Sequence, residues 1–320
     1  MNLKRERKMQ KRKRRRRVRW GRVISVLLVF AFIGVGIYAI MEYYQGTRIA
    51  KAGNFSDDNK NAKSFQGEEV KFGKINVLLL GSDSRGEKHA RTDSIMIAHY
   101  DQNTHEPKLI SIMRDSFVDI PGYGRQKINA AYAIGGTELL RKTIKENFGI
   151  DINYYAVVDF KGFEKVVDVI APKGIEVDVP SKMSYGIGMT LQPGKQVLHG
   201  DKLLGYVRFR HDNLSDFGRV QRQQEVIEKL KDQAMSMTSL LKLPKILGVI
   251  NPYLDTDLDT PTLFTLGKDL LTNKSSKVQT LRIPVNGSYT NETYDNVGAV
   301  LNIDLAQNKH ALDEFLSSNS

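Results

Sequence analysis

Residues 23–41 read VISVLLVFAFIGVGIYAIM, 19 residues without a charged side chain. No other segment restricts the chain's architecture as sharply. As a helix rising 1.5 Å per residue the run covers roughly 28 Å, close to the thickness of a bilayer's hydrocarbon core. It is longer than the apolar part of a cleaved signal peptide, and no small-x-small site closes it. Trp20 precedes it, and Tyr38, Tyr43 and Tyr44 lie at its far end, where interfacial aromatics belong. The run is therefore read as one uncleaved transmembrane helix.

Charge supplies the orientation. The formal net charge is +12 over 320 residues, and residues 1–22 hold 13 Lys or Arg against the single acid Glu6. The remaining chain balances, with 35 basic and 35 acidic side chains. A tail so rich in like charge cannot fold by itself. By the positive-inside rule it lies in the cytoplasm, making this a single-pass type II cell-membrane protein with residues 42–320 outside. The same tail offers phosphate contacts but no base-reading element, so no nucleic-acid partner is expected. The chain has no cysteine, which excludes a disulfide scaffold, zinc–thiolate and iron–sulfur sites, and a thiol nucleophile.

Residues 42–73 are polar and mixed and read as an extracellular spacer. The folded domain, 74–320, opens on INVLLLG from Ile75, a buried strand ending in glycine. Strands are expected at 94–100, 108–113, 117–120, 154–159, 175–179, 206–210 and 278–283. Helices are expected at 137–147, 160–170, 216–237, before Pro252, at 262–271 and at 304–316. Their alternation predicts an α/β sandwich.

Chemistry-bearing residues cluster in this pattern. Gly81-Ser82-Asp83-Ser84-Arg85 follows the first strand directly, and Arg91-Thr92-Asp93-Ser94 opens the second. If these strands are neighbours, Asp83 and Asp93 share a sheet end, and two hard oxygen ligands near phosphate suit Mg²⁺. The alternative is that they pair with Arg85 and Arg91 as ordinary loop ion pairs. Tyr206, Arg208 and Arg210 alternate with Val207 and Phe209, which on a strand puts both guanidiniums on one face, facing an anion. Arg219, Arg222 and Gln223 share one helix face, again an anion surface or simply a solvated one. Arg114 and Lys127 add cationic donors. No P-loop, His-Glu-x-x-His or Gly-x-Ser-x-Gly sequence occurs.

As a set, these segments resemble the LytR–CpsA–Psr family of bacterial cell-wall enzymes. The resemblance rests on Gly81–Arg85, Arg91–Ser94, Ser111-Ile112-Met113-Arg114-Asp115, Lys127-Ile128-Asn129-Ala130-Ala131 and Asp159-Phe160-x-x-Phe163. It continues through Leu198-x-Gly200, Tyr206-x-Arg208-x-Arg210 and Asp216-x-x-Arg219-x-x-Arg222-Gln223-Gln224, spanning residues 75–224. Met113 stands where the family usually has proline and Leu203 where it often has alanine; neither change removes a charge.

The resemblance implies a central mixed sheet packed by helices and a Mg²⁺-dependent (or Mn²⁺-dependent) phosphotransferase. Its partners would be an undecaprenyl-pyrophosphate-linked glycopolymer, wall teichoic acid or capsular polysaccharide, and the acceptor peptidoglycan. It implies metal ligation by Asp83 and Asp93, with one of them or Arg91 serving the chemistry. Arg85, Arg91, Arg114, Lys127, Arg208, Arg210, Arg219 and Gln223 would surround the pyrophosphate. The helix carrying Phe160, Phe163 and Val167, with that at 216–237, would wall the lipid. Two rivals stay open: a hydrolase of polyprenyl-pyrophosphate lipids, and a membrane-bound transcriptional attenuator.

Overall fold

The computed structural model describes residues 39–45, 47, 65–82, 92–234, 237–250, 253–272 and 277–318. The uncharged run therefore lies outside the described residues except for 39–41. Among the described residues no helix is long and apolar enough to cross a membrane.

Two sheets carry the domain. The larger has six strands: β1 (Lys74–Ser82), β2 (Thr92–Asp101), β3 (Glu106–Ile112), β6 (Tyr154–Asp159), β9 (Leu254–Thr256) and β10 (Gln279–Ile283), in the order β10-β3-β2-β1-β6-β9. It is mixed, since β1 runs parallel to β6 and antiparallel to β2, and β10 runs parallel to β3. The continuous apolar run of β1 is explained by burial on both faces. Leu78 and Leu80 point into the main core, while Ile75, Val77 and Leu79 face a smaller cluster with Leu258 and Leu263.

The second sheet, in the order β11-β12-β4-β5, contains β4 (Ser116–Ile120), β5 (Gly124–Lys127), β11 (Tyr289–Tyr294) and β12 (Gly298–Ile303). Its inner residues Val118, Ile120, Leu301 and Ile303 share one core with the large sheet and with helix α1 (Ile128–Phe148). The helix expected at 137–147 is the second part of α1, separated from the first by the non-helical pair Gly135 and Gly136. It stops, as expected, at Gly149, whose φ of 74° is left-handed and whose N–H caps Lys145 O.

A second core joins α2 (Phe160–Ile170), α3 (Gly200–Arg208), α4 (Ser215–Ala234) and the hairpin of β7 (Ile175–Val179) and β8 (Gly194–Leu198). Helices α5 (Met237–Ile250), α6 (Thr260–Thr272) and α7 (Leu305–Ser317) complete the order.

Two expectations need correction. The strand at 206–210 is instead the end of α3 followed by an extended segment. Gly200, Leu203, Leu204 and Val207 are all buried, and that helical spacing overrides the local alternation of Tyr206, Arg208 and Arg210. The end of the spacer is also docked on the domain. Glu68 N–H donates to Ile152 O at 2.9 Å, Asn153 Nδ2 donates to Glu68 O at 2.8 Å, and Phe65 packs on Tyr155 with ring centroids 4.8 Å apart.

Candidate functional site

Strand register brings the motif residues to one edge of the large sheet. Ser82 pairs with Thr92 and with Asp159, and Ile95 pairs with Ile112. The end of β1, the start of β2, the end of β3 and the entry to α2 therefore lie side by side. Asp93 and Arg114, 21 residues apart, meet there: Arg114 Nη1 donates to Asp93 Oδ1 at 2.6 Å. Helix α4 is fastened over the same edge by Gln223 Nε2, which donates to Ser94 Oγ at 2.8 Å, and by Gln224 Nε2, which donates to Ser111 Oγ at 3.1 Å.

Asp216, in the first turn of α4, accepts from Arg114 Nε at 3.2 Å and lies 3.3 Å from Arg219 Nη2. Asp115 lies 3.5 Å from Arg114 Nε and 2.9 Å from Lys127 Nζ. Arg208, in the last turn of α3, sits over the Phe160 ring with Cζ 3.9 Å from its centroid. This is the face-on stacking a planar guanidinium prefers. Among the described residues, Arg114, Lys127 and Arg219, with Arg210 close to Arg219, thus gather around Asp93, Asp115 and Asp216. The cations outnumber the carboxylates.

Arg219 bears the cost of that imbalance. It is only 5% exposed, and its Nε is buried with no hydrogen-bond partner among the described residues. Burial pushes its guanidinium below the usual value; Asp216 opposes this, and the nearby Arg114 and Arg210 reinforce it. Arg114 is also desolvated, but Asp216, Asp115 and Asp93 more than compensate and hold it above the usual value. A buried cation with an orphaned donor carries a desolvation cost that an entering anion would relieve.

Other expected residues fall as follows. Asp83, Arg85 and Arg91 lie outside the described residues, although Ser82 and Thr92 beside them sit at the site edge. Arg210 is exposed, one residue past the buried Phe209. Arg222 does not join Arg219 and Gln223: it is buried, pairs with Asp212 at 2.6 Å, and donates to Phe209 O. Phe160 and Phe163 are half-buried on α2, whereas Val167 is fully enclosed in the second core. The sequence reading assigned no role to Asp216 or Asp115. The signal for Asp216 was its place one helical turn before Arg219.

For a divalent cation the donor chemistry fits on the Asp93 side. Arg114 takes one of its carboxylate oxygens, and the side chain is 38% exposed. Among the described residues no group of three or more acidic or histidine side chains forms a complete cage.

Fold and cluster together define an α/β protein with a cation-rich cluster at one end of its large sheet. The chain belongs to the LytR_cpsA_psr family, whose model matches residues 37–312. It is 41% identical to the regulatory protein MsrR of Staphylococcus aureus over 283 residues, covering 88% of this chain and 86% of MsrR. It is 31% identical to the polyisoprenyl-teichoic acid–peptidoglycan teichoic acid transferase TagU of Oceanobacillus iheyensis, covering 89% and 90% of the two chains. Among solved structures it resembles YwtF (TagT) of Bacillus subtilis with bound octaprenyl pyrophosphate lipid. The TM-score is 0.56 at 26% identity, with 79% of this chain and 95% of that one covered.

Proposed function

We propose that this protein is a phosphotransferase that moves a glycopolymer, wall teichoic acid or capsular polysaccharide, from an undecaprenyl-pyrophosphate carrier to peptidoglycan. The observation that carries the reading is Arg219, buried with an unpartnered donor in a cluster where, among the described residues, cations exceed carboxylates. That cluster suits the dense negative charge of a pyrophosphate. Transferase relatives and a polyprenyl-pyrophosphate-bound structural neighbour support the substrate class.

In the reaction, a hydroxyl of the acceptor sugar attacks the phosphorus next to the glycopolymer. The bond from that phosphorus to the bridging oxygen breaks, and polyprenyl phosphate leaves with the electron pair. The hydroxyl proton passes to Asp93 or Asp83. Arg114, Arg208 and Arg219 stabilise charge on the phosphate oxygens, and Asp216 holds two of these arginines in place. Mg²⁺ held by Asp93 and Asp83 would, when bound, offset further charge on those oxygens. The lipid chain would run past Phe160 and Phe163 along α2 and α4. Residues 23–41 would span the membrane with the tail inside, keeping the site beside a lipid that never leaves the bilayer.

The test incubates the full chain in detergent with a defined polyprenyl-pyrophosphate glycan, Mg²⁺ and peptidoglycan oligomers, followed by mass analysis. Acceptor that gains a glycosyl phosphate is the expected product. Cleavage at the same rate without acceptor would establish the hydrolase instead. The name of MsrR favours a regulatory reading. Removal of residues 1–17 with orientation preserved separates the two, and wall attachment is expected to survive it.

A further inference from the structure

The outer face of the four-stranded sheet has no role in the mechanism above, yet it begins at the cationic cluster. Register pairs Phe117 with Lys127 and Asp119 with Arg125, so these four side chains share one face. Asn302 is the register neighbour of Phe117 and of Thr290, which extends the face across β12 and β11. Lys127 is the link, because its Nζ meets Asp115 beside Arg114.

The face is built and ordered. The Tyr294 ring stacks on Phe117, with centroids 4.9 Å apart and planes 23° apart, and remains 38% exposed. Arg125 Cζ lies 4.5 Å from the Phe117 centroid, and Arg125 Nη2 donates to Asn302 Oδ1 at 3.0 Å. Glu292 accepts from Thr290 Oγ1 and Asn302 Nδ2, each at 2.7 Å, and from the Tyr294 hydroxyl. Those three hydrogen bonds keep its carboxyl low, near 2, so the network stays ionised and fixes the tyrosine ring.

We propose that this face, with Tyr294 stacked on Phe117 as its exposed aromatic, holds the sugar backbone of the acceptor glycan and leads its hydroxyl toward Lys127 and Arg114. The assignment rests on the transferase reading. It favours the acceptor because the face beyond Lys127 carries Asp119 and Glu292 against Arg125, with no excess of positive charge. A phosphate-repeat donor polymer would instead be drawn to the arginine cluster. A neutral glycan strand offers apolar ring faces to stack on an aromatic, and hydroxyl and acetamido groups to pair with carboxylate, amide and guanidinium.

The experiment uses the full chain in detergent and two readouts: binding of peptide-free peptidoglycan glycan strands, and the KM for acceptor in the transfer assay. Tyr294→Ala is expected to weaken glycan binding and raise acceptor KM about tenfold, while Tyr294→Phe, which keeps the ring, stays close to wild type. Pyrophosphate affinity and melting temperature serve as controls for folding. Wild-type glycan binding by Tyr294→Ala overturns the proposal, as does an equal loss of pyrophosphate affinity. A changed oligomeric state with unaltered glycan binding would assign the face to self-association and overturn it too. Glycan binding that depends on Tyr294 in a protein that transfers nothing would uphold this surface and sink the transferase reading alone.

Discussion

Replacing Arg219 by methionine separates a binding role from a structural one. The side chain is 5% exposed, and its Nη2 contact with Asp216, at 3.3 Å, is its one ion pair among the described residues. Methionine removes that pair but leaves Asp216 hydrogen-bonded to Arg114 Nε at 3.2 Å. It also removes a buried cation whose Nε has no partner among the described residues, a desolvation penalty of several kcal/mol that roughly cancels the lost pair. Stability should therefore change by no more than about 1 kcal/mol, a melting shift within about 4 °C for a domain of this size. Anion binding should respond very differently. A lost charge-assisted hydrogen bond is worth about 1.5–3 kcal/mol, or about 10- to 150-fold in affinity. Thermal melts and calorimetric titration with inorganic pyrophosphate, both on the full chain, measure the two effects. A stability loss of about 3–5 kcal/mol, the usual result of breaking a needed buried pair, would show that Arg219 holds the fold. Unchanged pyrophosphate affinity would refute the site.

His99 is buried against Lys108 and Lys74, and burial foremost, then those two cations, lowers its pKa from 6.5 to about 4. The unfolded chain takes up this proton near pH 6.5 and the folded chain only near 4, so stability falls as pH drops through that window, by about 3 kcal/mol in all. Denaturant titrations at pH 7 and pH 4 should show that His99→Gln, which keeps a donor for Asn76 Oδ1, lacks this component. Gly200→Ala would set a Cβ 2.9 Å from the Cα of Glu164, forcing α3 away from α2 at a cost of about 1–3 kcal/mol. Transfer activity should drop with it, because Arg208 on α3 stacks on Phe160 of α2, whereas Lys202→Ala on the exposed side of α3 should be silent in both assays. Asn308 is fully buried and joins Val285 N–H, Ser288 Oγ and Asp304 O; Asn308→Ala should cost about 3 kcal/mol in chemical denaturation without altering pyrophosphate affinity.

The candidate motifs are legible in the sequence because each is short and local; Asp93, Arg114, Lys127, Arg219 and Gln223 meet at one end of the large sheet, while Asp83, Arg85 and Arg91 lie outside the described residues. A glycine turn after an apolar strand, an Asp in the opening of the next strand, and an Arg closing the third are each visible within a few residues. Their order is what the family resemblance rests on. The strand error at Tyr206–Arg210 has an equally plain cause. Five residues of alternation fit a strand, but burial of Gly200, Leu203, Leu204 and Val207 is a longer helical pattern that wins once α2 and β8 are packed against it. The role of residues 275–320 was invisible for a different reason. β10 pairs with β3 across more than 160 residues, and β12 pairs with β4 across more than 180, and no local pattern reports such partners.

The sequence by itself determined the location of charge, the apolar run at 23–41, the α/β alternation and the identity of the cationic residues, since composition and period are properties of the chain alone. Only the tertiary structure decided which cations meet. Asp216 bridging Arg114 and Arg219, Arg222 turning away to Asp212, and Tyr294 stacking on Phe117 all depend on strand register and helix packing. Electrostatic energy varies with separation and burial. Arg219 and Arg222 each bury an Nε without a partner among the described residues, and what sets Arg219 apart is its place beside Arg114 and Arg210.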